Sequence, residues 1–79
     1  MKIQILGMGC PKCNALEQNA RTAAAELGID AEFEKIKDID TIHDMGVMMT
    51  PALAVDGDVK SVGKLLTKDQ IVAVLKSQA

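Results

Sequence analysis

The run Gly7-Met8-Gly9-Cys10-Pro11-Lys12-Cys13 directly follows Lys2-Ile3-Gln4-Ile5-Leu6, and how this junction is read decides the fold. Ile3 and Ile5 alternate with Gln4, the period expected of a short strand. Two glycines then punctuate the chain, and Pro11 suits the first turn of a helix, where its missing N–H is no loss. Leu16, Ala20, Ala23, Ala24 and Leu27 recur at helical spacing, and Gly28 supplies the stop. The two cysteines of the chain therefore sit where a strand hands over to a helix.

Beyond Gly28, Ile29 to Ile36 reads as a second strand with Ile29, Ala31 and Phe33 facing inward and Glu32 and Glu34 outward; Ile36 falls out of that phase. Asp38 or Asp40 can cap a short helix carrying Ile39, Ile42 and Met45, which Gly46 closes. Met49-Thr50-Pro51 leads into the apolar run Ala52 to Val55. Asp56-Gly57 then separates that run from Val59 to Val62, the signature of a tight hairpin. Thr67-Lys68-Asp69-Gln70 has the form of a capping box ahead of a helix bearing Ile71, Val72, Val74 and Leu75.

The resulting order is βαβαββα, an α/β fold. Its strand, helix, strand opening implies a parallel pair with a right-handed crossover, and the hairpin adds two antiparallel strands. A four-stranded mixed sheet flanked by helices on both faces is expected. At 79 residues the chain is expected to form a single domain, 1–79.

Composition removes several function classes. An apolar share of 48% with 25% charged residues suits a soluble globular protein, and the longest apolar run, Ile71 to Leu75, is far short of the ~20 residues that cross a bilayer. No membrane role is expected. Nine basic against eleven acidic residues give a net charge of -2 without a basic stripe, and Phe33 is the one aromatic, so no nucleic-acid partner is expected. The N-terminal stretch reaches glycine by Gly7 without an apolar core of signal-peptide length, which points to the cytoplasm. A monomer is expected.

As a structural staple the Cys10/Cys13 pair is poor. Closing a loop of about four residues yields roughly 2 kcal/mol in the chain-entropy description, against ~3 kcal/mol for 15 residues. One close pair in a cytosolic chain points instead to redox chemistry or metal binding.

With Gly9-Cys10-Pro11-Lys12-Cys13 after the first strand, and Thr50-Pro51 before Ala52 to Val55 and its Asp56-Gly57 turn, the chain resembles the thioredoxin superfamily, in particular its small glutaredoxin-sized redox-active disulfide proteins. The resemblance spans nearly the whole sequence. It implies a cis Thr50–Pro51 bond beside the cysteine pair, and a sheet order of second, first, third, fourth strand with the third antiparallel to the first. It also implies a thiol-disulfide oxidoreductase that uses a Cys10–Cys13 disulfide and no further cofactor or metal. A disulfide-bearing protein substrate and a disulfide reductase as electron donor would be its partners.

In that frame Cys10, at a helix N-terminus, is the expected nucleophile. A thiol of ordinary pKa is about 3% ionised at pH 7 and half ionised once its pKa falls to about 7. The helix terminus supplies ~0.3 to 1 kcal/mol toward an anion, and up to ~2 in partly buried geometry. Cys13, inside the first turn, is expected to be more buried and to act as the resolving thiol. Pro11 stiffens the turn, Lys12 points outward, and Thr50 could pair its backbone with an extended substrate segment. Thioredoxins carry an aromatic where this chain has Gly9, and a buried aspartate six residues before the first cysteine, where this chain has Gln4. Water or Lys12 would then accept the Cys13 proton.

The competing reading is soft-metal binding, since Met8-Gly9-Cys10-Pro11-Lys12-Cys13 also fits the Met-x-Cys-x-x-Cys loop of heavy-metal-associated domains, and thiolate with thioether favours Cu(I). Those domains run strand, helix, strand, strand, helix, strand, unlike the order read here. His43 is expected in solvent, and Met45, Met48 and Met49 are expected as core and gap fillers.

Overall fold

The computed structural model describes residues 1–7 and 11–78. Its elements are β1 (Lys2–Leu6), α1 (Pro11–Leu27), β2 (Glu32–Ile36), α2 (Ile39–Asp44), β3 (Ala52–Val55), β4 (Asp58–Val62) and α3 (Lys68–Gln78). The strands form one sheet in the order β2-β1-β3-β4. β1 pairs parallel to β2 and antiparallel to β3, and β3 pairs antiparallel to β4. The βαβαββα order is the one read from the sequence, and it differs from the strand and helix order of heavy-metal-associated domains.

The sheet buries side chains on both faces, and the strand period of two divides them. Ile3, Ile5, Leu53 and Val55 pack with Leu16, Ala20, Ala23 and Ala24 of α1 and Ile71 and Leu75 of α3. On the other face Leu6, Ala52 and Ala54 pack with Ile42 of α2 and Val47. All four residues of β3 are buried, because this inner strand is covered from both sides. Alanines at three of the α1 contact positions let that helix lie close to the sheet. Leu53 is fully buried at this interface, where truncation of a leucine to alanine typically costs ~2 to 5 kcal/mol.

Both early helices end in the same way. The Gly28 N–H donates to Ala25 O and the Ile29 N–H to Ala24 O, at 3.2 and 3.0 Å. The Gly46 N–H donates to His43 O and the Val47 N–H to Ile42 O, at 2.9 and 3.1 Å. Each glycine has positive φ, which an L side chain rarely adopts, and the next residue is apolar and packs back on its helix.

The first of these closures moves one boundary from where the sequence pattern put it. Ile29 belongs to the helix end, so β2 begins at Glu32 and not at Ile29. Ile36 is out of phase with Phe33 because it packs in the α2-side cluster, while Phe33 packs against the α1-side cluster.

The methionine expectation needs a larger correction. Met45 does pack against the α2-side cluster, but Met48 and Met49 are 77% and 64% exposed. Val47 takes the buried position after Gly46, which leaves the two following side chains outside the core.

Candidate active site

The site is built where β1 ends and α1 begins. β1 keeps its register one residue further through the Gly7 N–H, which donates to Ile36 O at 2.9 Å and fixes Gly7 against the end of β2. Across the junction α1 starts at Pro11, with Pro11 and Lys12 exposed and Cys13 buried. The first turn of α1 carries no acidic side chain, so its N-terminal field is not offset by a side-chain carboxylate there. Met8, Gly9 and Cys10 lie outside the described residues, and so does the proposed nucleophile among them.

Cys13 is buried against the residue that follows β1. Its Sγ packs against Gly7 so closely that a Cβ on residue 7 would overlap it, while the Thr50 Cβ stands 3.8 Å from that same point. The two motifs of the sequence thus meet: Cys13 from the cysteine motif and Thr50 from the proline motif converge on Gly7. The Thr50–Pro51 peptide bond is cis, Thr50 is exposed and Pro51 is buried. The Pro51 carbonyl accepts from the Gly63 N–H at 2.9 Å, which ties this segment to the end of β4. Gly63 has φ +70° and lies under Met49, whose Sδ stands 3.6 Å from where a Cβ would be.

A small pocket opens beside Cys13, lined by Ile5, Gly7, Cys13, Asn14, Lys35 and Lys37. Its free volume is about 10 Å³, the room of one water. Lys35 is anchored, with Nζ 2.9 Å from Glu17 Oε1, and Arg21 holds the other oxygen of that carboxylate at 2.9 Å. The Lys35 hydrogen bond, ahead of a smaller opposing effect of burial and the bond from Arg21, keeps Glu17 below the usual carboxylate range. Lys35 and Lys37 were not singled out by the sequence reading. Their signal was the parallel register, which sets Leu6 against Ile36 and so brings the flanking lysines beside Gly7.

Gln4 stands where the resembled family carries a buried aspartate. Strand alternation puts Gln4 on the sheet face opposite Ile3 and Ile5, away from α1. There its Nε2 donates to Glu34 Oε1 at 2.8 Å. On the cysteine side of β1, Ile5 and Gly7 line the pocket instead.

Among the described residues there is no group of three or more His, Cys, Asp and Glu side chains that could hold a metal ion. The Met8 and Cys10 ligands of the soft-metal reading lie outside those residues. His43 is exposed on α2. No helix among the described residues is long and apolar enough to cross a membrane.

Comparison with known proteins agrees with this geometry. Residues 1–76 match the family model described as a thioredoxin domain. A protein named thioredoxin from Methanothermobacter thermautotrophicus is 55% identical over 75 residues, covering 95% of this chain and 97% of that protein. Another so named, from Methanocaldococcus jannaschii, is 43% identical over 75 residues, covering 95% and 86%. A match of this extent, on a fold with this strand order, means that the chain belongs to the thioredoxin family and is a thioredoxin-like disulfide oxidoreductase.

Proposed function

We propose that residues 1–79 act as one monomeric domain in the cytoplasm, exchanging disulfides through the pair Cys10 and Cys13. The Cys10 thiolate attacks one sulfur of a substrate disulfide; a bond to that sulfur forms, and the other substrate sulfur leaves as a thiolate. Cys13, as thiolate, then attacks the Cys10 sulfur, closing the Cys10–Cys13 disulfide and releasing the second substrate thiolate. Two electrons have passed to the substrate, and a disulfide reductase returns two to the pair. No further cofactor enters this sequence.

The observation that carries the reading is the convergence of Cys13 and Thr50 on Gly7. It unites two segments remote in sequence at the N-terminal end of α1, where a thiolate is favoured by the helix field. Thr50 is exposed beside Cys13 and can offer its backbone to an extended disulfide-bearing protein segment. Pro11 restricts the turn between the cysteines, and Lys12 remains a solvated cation.

The test is trapping with Cys13→Ser, which should accumulate mixed disulfides at Cys10 when the protein is mixed with a disulfide-bearing protein. Equal trapping by Cys10→Ser would reverse the two roles. Tight one-to-one Cu(I) uptake that depends on Met8, with no trapping by either variant, would favour the metal reading instead.

A further inference from the structure

Two neighbouring thioethers, Met48 and Met49, stand in solvent, whereas Met45 packs on the α2-side cluster and Met1 against the α1-side cluster. Oxidation of a methionine to its sulfoxide turns a flexible apolar side chain into a polar one, and an exposed sulfur is the one an oxidant reaches first. The two exposed methionines differ in their surroundings. Met49 Cε and Sδ stand 3.4 and 3.6 Å from where a Cβ on Gly63 would be, so this thioether is laid on the backbone that follows β4. Met48 is the more exposed of the pair and stands one residue further from Thr50.

Gly63 is itself tied to the cis-proline segment, since its N–H donates to Pro51 O. Thr50 follows Met49 in the chain, is exposed, and converges with Cys13 on Gly7. Val62, just before Gly63, and Leu65, two residues after it, are exposed as well. One lip of the exchange site is therefore apolar, and the Met49 side chain crosses it from the residue before Thr50 to Gly63. A protein segment that pairs with the Thr50 backbone must lie against this lip. A small disulfide need not.

We propose that Met49 is an oxidative modification site whose sulfoxide slows exchange with protein disulfides and leaves the cysteine chemistry intact. The oxidant is a hydroperoxide. The Sδ lone pair attacks its terminal oxygen and an S–O bond forms, while the O–O bond breaks with its electron pair on the leaving oxygen. The proton of the transferred hydroxyl follows to that oxygen, so water or an alcohol departs and two electrons have passed from sulfur to the peroxide. The lip then carries a polar S–O group, and covering it with a substrate costs free energy unless a donor meets it. A thiol-dependent sulfoxide reductase reverses the change: two thiols become a disulfide, and the oxygen leaves as water. This inference rests on the reading of Thr50 as the segment on which protein substrates dock.

The protein is first converted to its Cys10–Cys13 disulfide, which shields both sulfurs, and treated with hydrogen peroxide. The peroxide is removed, the disulfide is reduced with dithiothreitol, and that reagent is removed in turn; peptide mass mapping locates the added oxygen. Single-turnover rates are read with insulin as the protein disulfide and hydroxyethyl disulfide as the small one. Wild type, Met48→Leu and Met49→Leu are each compared with their own untreated sample. Treated wild type and Met48→Leu should lose about fivefold with insulin, the scale of one apolar contact, and nothing with the small disulfide. Sulfoxide reductases of both stereospecificities should restore the insulin rate. Treated Met49→Leu should lose nothing with either disulfide. An equal loss in Met49→Leu overturns the proposal, as does an equal loss with both disulfides, an undiminished insulin rate in wild type bearing the Met49 sulfoxide, or a Met49 that peroxide leaves unmodified. Failure to form the Cys10–Cys13 disulfide at the first step instead overturns the exchange reading, and the role of Met49 with it.

Discussion

The Sγ of Cys13 occupies the space that a Cβ on Gly7 would need. The glycine that ends β1 is therefore a seat for the sulfur as well as a break in the strand. Gly7→Ala should force Cys13 or the β1 end aside, at a cost of about 1 to 3 kcal/mol as for other overpacked sites. Denaturant unfolding measures it. In a Cys13→Ala background the same change should cost clearly less, because the atom it meets has gone.

Gly63 combines positive φ with the Met49 side chain at close range, its Cβ 3.2 Å from where a Cβ on residue 63 would sit. Gly63→Ala should destabilise by about 1 kcal/mol or more from backbone conformation alone. Met48→Ser, in contrast, should change stability by no more than about 0.5 kcal/mol, since the side chain is 77% exposed. A large loss at Met48 would restore the core role that the sequence pattern suggested.

Glu17 links stability to acidity. Its folded pKa lies below the ordinary 4.5, so its ion pairs stabilise the fold fully above that value. The contribution disappears as pH falls through 4.5 and then through the lower folded value. Glu17→Gln should flatten this acid limb of the stability curve, measured by unfolding at a series of pH values, and leave the neutral-to-alkaline slope unchanged.

At the start of α3 the capping box is closed in both directions. The Gln70 N–H donates to Thr67 Oγ1 at 3.2 Å, and the Thr67 N–H donates to Gln70 Oε1 at 2.9 Å. Thr67→Ala should cost about 1 kcal/mol, read from the shift in the unfolding midpoint at constant slope.

The order of elements was legible because each one carries its own local signal. Ile3 and Ile5 alternate, α1 has its apolar stripe, and Asp56-Gly57 takes positive φ at both residues, as a tight hairpin turn requires. What local pattern could not supply was which side of the sheet a residue faces and what crosses from a distant strand. Gln4 is six residues before Cys10, yet strand alternation turns it away from α1. Lys35 and Lys37 carry no motif of their own, and the parallel pairing of β2 with β1 is what brings them beside Gly7. Met48 and Met49 have core-like chemistry, but Val47 fills the buried place first.

The most direct test of disulfide exchange is equilibration of the protein in dithiothreitol or glutathione redox buffers, with the thiol content fixed by alkylation and counted by mass. A single two-electron transition joining Cys10 to Cys13, abolished by replacing either cysteine with serine, is the expected result. Two thiols that stay reduced across the whole range, or that form disulfides independently of each other, would contradict it.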